Sequence, residues 1–122
     1  MQEIKSYKDL LVWQKGIEVV QAVCKLTSKF PKEEIYGITS QMRRAAVSIP
    51  SNIAEGFSRK HRQEYTQFVR IAFGSGAELE TQLIIAKNLD LAPSKDFIQV
   101  GEFLGEEMRM LNGLIGSLAT RA

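Results

Sequence analysis

An all-α fold, an antiparallel up-and-down four-helix bundle, follows from three observations on the sequence. Apolar residues recur at spacings of three and four in four successive segments. Breaks at Phe30-Pro31, Gly56-Phe57-Ser58 and Leu91-Ala92-Pro93 separate those segments. No stretch alternates apolar and polar residues as a half-buried strand does. With 122 residues, a single domain over 1–122 hides roughly two-thirds of the surface its unfolded chain exposes, enough for a core without disulfide or metal staples.

The first helix spans about 6–28. Ser6 and Asp9 fit the S-x-x-D start signal, whose hydroxyl and carboxylate serve backbone N–H groups that lack helical partners. Leu10, Trp13, Ile17, Val20 and Cys24 form one apolar face, and Val12, Val19, Val23 and Leu26 a second beside it. One helix with two apolar stripes needs two partners. The first stripe is expected in the core, and Val12, Val19, Val23 and Leu26 are then a candidate oligomer interface. Cys24 reads as a small buried hydrophobe.

In the second helix Ile38, Met42, Ala45, Ile49, Ile53 and Phe57 make the buried stripe, and Pro50 predicts a kink in one continuous helix, with Ser48, Ser51 and Asn52 placed to serve the freed carbonyls. The third starts near Lys60 or His61 and buries Tyr65, Phe68, Ala72, Ser75, Leu79, Leu83 and Ala86 over about thirty residues, roughly 45 Å. Ser94 predicts the cap of the last helix, where Phe97, Gly101, Leu104, Met108, Leu111, Ile115 and Leu118 alternate by four and three. Glycines inside helices cost roughly 1 kcal/mol each against alanine. Those at Gly74, Gly76, Gly101 and Gly105 therefore predict close helix approach.

Two features point towards function. Gln41, Arg44, Ser48, Asn52 and Glu55 recur in one direction along the second helix, beside Glu78 and Gln82 of the third. Such a row reads first as a structural polar ladder that fixes register, with a ligand site as the alternative. The other feature is charge. Residues 1–39 carry six basic and five acidic side chains, 40–62 five and one, and 63–122 five and eight. The +4 centre holds Arg43, Arg44, Arg59, Lys60 and Arg62, with Arg70 two turns further on. Those six are the candidate nucleic-acid-binding residues, since Arg and Lys neutralise phosphates; a solvated or protein-binding corner is the competing reading.

Other classes lack support. One His and one Cys do not make a zinc or di-iron site, so no metal and no cofactor is expected. Gly74-Ser75-Gly76-Ala77-Glu78-Leu79 starts like a dinucleotide fingerprint but ends in leucine and lies within a helix. No acid-base pair has a recognisable spacing, and a non-enzymatic protein is expected. With no apolar run of membrane or signal-peptide length, the expected location is the cytoplasm, away from membranes.

The strings L-L-V-W-Q-K at 10–15, F-P-K-E-E at 30–34, Q-M-R-R-A-A-V-S-I-P-S-N-I-A-E-G at 41–56 and A-F-G-S-G-A-E-L-E at 72–80 resemble the four-helix-bundle proteins encoded in intervening sequences of bacterial 23S rRNA genes. The resemblance covers nearly the whole chain; Gly76 departs from it where many members carry leucine. It implies a ring-like homopentamer without known enzymatic activity. It also implies kinship to the accessory protein of diversity-generating retroelements, which binds nucleic acid through a basic surface and associates with a reverse transcriptase. The partners expected are therefore further copies of the chain, structured RNA or DNA, and a reverse transcriptase or other protein. Of the six candidate nucleic-acid-binding residues, Arg43 and Arg44 are those inside the matching strings. A protein-interaction adaptor without nucleic acid is the alternative function.

Overall fold

The computed structural model describes residues 3–119. Four helices carry the fold: α1 (Leu11–Thr27), α2 (Ser40–Ser58), α3 (Arg62–Asn88) and α4 (Ile98–Ala119), with short helical turns before α1, α2 and α4 and no strand among the described residues. The Ser6–Asp9 box forms as expected, but it caps the short turn Tyr7–Asp9 ahead of α1. Gln14 then ties turn to helix by donating to the Lys8 carbonyl at 2.9 Å.

Contacts run round a square, α1 to α2, α2 to α3, α3 to α4 and α4 to α1, with the α2–α3 pair the most extensive. Arg43 meets Thr27 and Pro50 faces Gly16. Ser48 meets Ser75, and Gly56 faces Tyr65 and Phe68. In these two pairs, α1–α2 and α2–α3, rising numbers on one helix meet falling numbers on the other. The core runs the length of the square, with Val19, Val23, Met42, Ile49, Ile53, Val69, Leu79, Val100, Leu104 and Leu111 buried.

Several expectations change. On α1 the inward stripe is Val12, Val19, Val23 and Leu26, completed by Gly16 and Ala22. These four apolar residues belong to the chain's own core and cannot form an oligomer interface. The stripe assigned to the core is the outer one: Leu10, Trp13 and Val20 only edge the core, and Cys24 is exposed. Period alone could not choose between them. With Gly16 counted as a core residue, 12, 16, 19, 23 and 26 form a row as regular as 10, 13, 17, 20 and 24.

Close approach occurs at three glycines. A Cβ on Gly56 would lie 2.6 Å from Phe68 Cβ, one on Gly16 would lie 3.0 Å from a Glu107 carboxyl oxygen, and one on Gly76 would collide with Met108 Sδ. Gly74 and Gly101 face open space, and Gly105 has only the Arg109 side chain nearby. Ser94 does not act as a cap: it is the first residue of a short turn, Ser94–Phe97, that leads into α4, and Pro93 holds the cap position of that turn. On α3 the buried row is Val69, Ala72, Gly76, Leu79, Gln82 and Ala86, rotated slightly from the expected one.

Glu107 is the least expected core residue. Its side chain is fully buried, and neither carboxyl oxygen has a hydrogen-bond partner among the described residues. Burial pushes this carboxyl up to about 8, against a partial pull downward from the Lys15 charge. At neutral pH it is therefore mostly a neutral acid.

Candidate nucleic-acid interface

The basic centre of the sequence splits in two. Arg43 and Arg44 sit in the first turns of α2, while Lys60 lies two residues beyond its end. Seventeen residues at about 1.5 Å each separate Arg43 from Lys60 by roughly 25 Å. The expected single cluster is therefore two regions near opposite ends of the bundle.

At the α1 side, Arg43 is a clamp. Its Nε donates to Thr27 Oγ1 at 2.9 Å, and that hydroxyl in turn donates to the Val23 carbonyl at 2.8 Å. The guanidinium thus fastens α2 to the end of α1. Arg44 is exposed and borders a shallow groove of about 370 Å³ with Gln41, Ser48, Ser75 and Glu78.

The polar row breaks up as well. Ser48 and Ser75 share a hydrogen bond of 2.8 Å between their hydroxyls, and Asn52 donates to the Ser48 hydroxyl at 2.9 Å and to its carbonyl at 2.7 Å. That carbonyl is not the one Pro50 deprives of a donor, which belongs to Ala46 four residues back. Outside this three-residue core the ladder ends. Gln41 is exposed, Glu55 turns to Arg59, and Glu78 accepts from Gln82 on its own helix at 3.2 Å instead of meeting Arg44.

At the α2–α3 junction the chain reverses within three residues. Arg59 keeps helical angles, Lys60 adopts the left-handed region at φ 57°, and His61 is extended at φ −137° ahead of α3. Glycine is the usual residue at a left-handed helix end, and a side chain there costs of order 1 kcal/mol. Lysine occupies the position despite that cost.

The junction's cations differ in availability. Arg59 binds Glu55 at 2.9 Å and Glu64 at 3.3 Å and lies over the Phe68 ring at 5.1 Å. Its charge is locally balanced. Lys60 and Lys5 make no ion pair among the described residues, and together with His61 and Arg62 they edge a cleft of about 530 Å³. Phe57 and Tyr65 line the same cleft, with Ile4 and Leu118 beside them. The two aromatic rings meet edge to face, 5.8 Å apart at 82°. Burial raises the Tyr65 phenol above its ordinary range, so it stays neutral and adds no negative charge. Arg70, exposed on α3, stands about 12 Å along the helix from Arg62.

Lys5 was missed from sequence, because it lies 55 residues before Lys60 and only the fold brings it near. Among the described residues no group of three His, Cys, Asp or Glu side chains could hold a metal ion. No described helix is long and apolar enough to cross a membrane.

A family model, that of the 23S rRNA-intervening sequence protein, matches residues 8–113. The chain belongs to the 23S rRNA-intervening sequence protein family. No curated protein matches it. The family match takes in the first three helices whole and α4 as far as Gly113. Within the cleft, Phe57, Lys60, His61, Arg62 and Tyr65 lie inside the matched span, whereas Ile4, Lys5 and Leu118 lie outside it. The floor and one lip are thus family framework, and the other lip is contributed by the flanking segments of this chain.

Proposed function

We propose that the chain is a non-enzymatic, cytoplasmic bundle that assembles with copies of itself, in a ring of five as the family resemblance implies, and binds RNA or DNA. The observation that carries the nucleic-acid reading is the cleft at the α2–α3 junction, where Lys5, Lys60, His61 and Arg62 surround an aromatic floor and no carboxylate of the described residues lines it. Phosphates supply the complementary charge.

Assembly is supported by two apolar grooves left on the surface. One, of about 320 Å³ between α1 and α2, is lined by Trp13, Ile17, Val20, Val47 and Ala54. The other, of about 430 Å³ between α3 and α4, is lined by Leu83, Ile84 and Gly101. In the square of helices these lie on opposite sides. Unlike faces on opposite sides favour head-to-tail association, the arrangement that closes into rings. The candidate interface is therefore the outer stripe of α1 and not Val12, Val19, Val23 and Leu26.

Charge reversal at Lys60 and Arg62 together, with RNA binding measured at two salt concentrations, tests the nucleic-acid reading. Loss of two phosphate contacts should weaken binding and flatten the slope of log affinity against log salt by about two. An unchanged slope and affinity would eliminate this surface. Binding of a protein partner by a nuclease-treated chain that holds no RNA or DNA would favour the adaptor reading.

A further inference from the structure

We infer that the cleft at the α2–α3 junction takes an unpaired nucleotide, its base against the Phe57–Tyr65 corner and its phosphate between Lys60 and Lys5. The inference rests on the nucleic-acid reading above and narrows it from nucleic acid in general to single strands.

The lining is the first reason. A surface that reads only duplex backbone needs spaced cations and gains nothing from an aromatic floor, because paired bases are stacked inside the helix. Here the apolar groups Phe57, Tyr65, Ile4 and Leu118 line the cleft together with the cations. Single-strand sites combine those same two elements, a cationic track for the backbone and aromatic faces for bases. The second reason is the corner itself. With the rings at 82°, a flat base laid on one ring meets the other ring along its edge. Tyr65 is held in that position, since its ring packs on the bare backbone of Gly56, whose Cβ would stand 3.2 Å from Tyr65 Cδ1.

Charge arrangement is the third reason. The nearby carboxylates, Glu55 and Glu64, are both occupied by Arg59, so the anions at the junction are turned to a local cation. Lys60 is projected from a left-handed backbone that glycine would adopt more cheaply. A strained residue at a cleft mouth, its cation in no ion pair among the described residues, is placed for a ligand.

Fluorescence anisotropy with the full chain, using a labelled single-stranded RNA of about ten nucleotides and the same sequence as a blunt duplex, provides the test. The single strand should bind at least about tenfold more tightly. Tyr65→Leu should weaken the single strand by about five- to hundred-fold, the range of one lost stacking contact, and leave the duplex unchanged; Lys60→Glu should weaken both. Because Tyr65 also packs on Gly56, a second measurement needs no variant: irradiation of a 5-bromouridine-substituted single strand should crosslink Phe57 or Tyr65. Equal affinity for strand and duplex, or crosslinks confined to other positions, overturns the inference while leaving the electrostatic reading intact. That broader reading fails separately, if reversing Lys60 and Arg62 changes neither probe's binding.

Discussion

Two single residues carry measurable costs. Glu107 has a folded-state proton affinity far above that of an ordinary carboxyl, about 8 against 4.5. The folded chain therefore holds a proton that the unfolded chain releases between those values, and stability falls as pH rises through that window. At about 1.4 kcal/mol per unit, the loss amounts to a few kcal/mol. Denaturant unfolding of the wild type at pH 5 and pH 9 should show this fall, and Glu107→Gln, neutral at both, should lose much less; parallel profiles would show that the carboxyl is not buried as described. Lys60 has the opposite character, a backbone cost tied to a side chain of use. Lys60→Gly should raise stability by up to about 1 kcal/mol while weakening RNA binding. A destabilised glycine variant would mean that the left-handed turn is not there.

Element by element, the sequence was most legible where proline or a strong period marked it. Pro31 and Pro93 lie in the connections before α2 and α4, and the core stripe of α2 over Met42, Ala45, Ile49 and Ile53 is buried as its spacing predicts. The α1 faces were harder, because both are apolar and only packing on α2 and α4 decides which turns inward. Glu107 was hidden by its charge. It continues Val100 and Leu104 towards Leu111 at spacings of four, three and four, but an acid in a core row reads as a surface residue until the structure covers it. The site was legible in part. Contiguity kept Lys60, His61 and Arg62 together, whereas Glu55, expected in the polar ladder, instead pairs with Arg59 four residues on. The rise per residue along α2 could also have separated Arg43 from Lys60 beforehand.

For the whole molecule the decisive property is that its two apolar grooves differ. Ile17→Glu spoils the α1–α2 groove and Ile84→Glu the α3–α4 groove. In head-to-tail assembly each variant alone should be monomeric by light scattering, because every chain lacks the same half of the contact. Mixed together they should form a dimer and stop, since only one intact pair of faces remains. Self-association of either variant alone would instead indicate a two-fold contact through one face. The test separates the two symmetries without fixing the number of subunits.

Cys24 supplies a way to count ends. Its exposed thiol lies one turn beyond Val20 on the outer stripe of α1, and it is the chain's one cysteine. Where a neighbour covers that stripe, a maleimide reaches the thiol slowly; at an uncovered face it reacts at the rate of a solvent-exposed cysteine. An open string of n chains keeps one fast thiol in n, whereas a closed ring keeps none. The fast fraction of a labelling time course therefore distinguishes a circle from a filament in the unmodified protein.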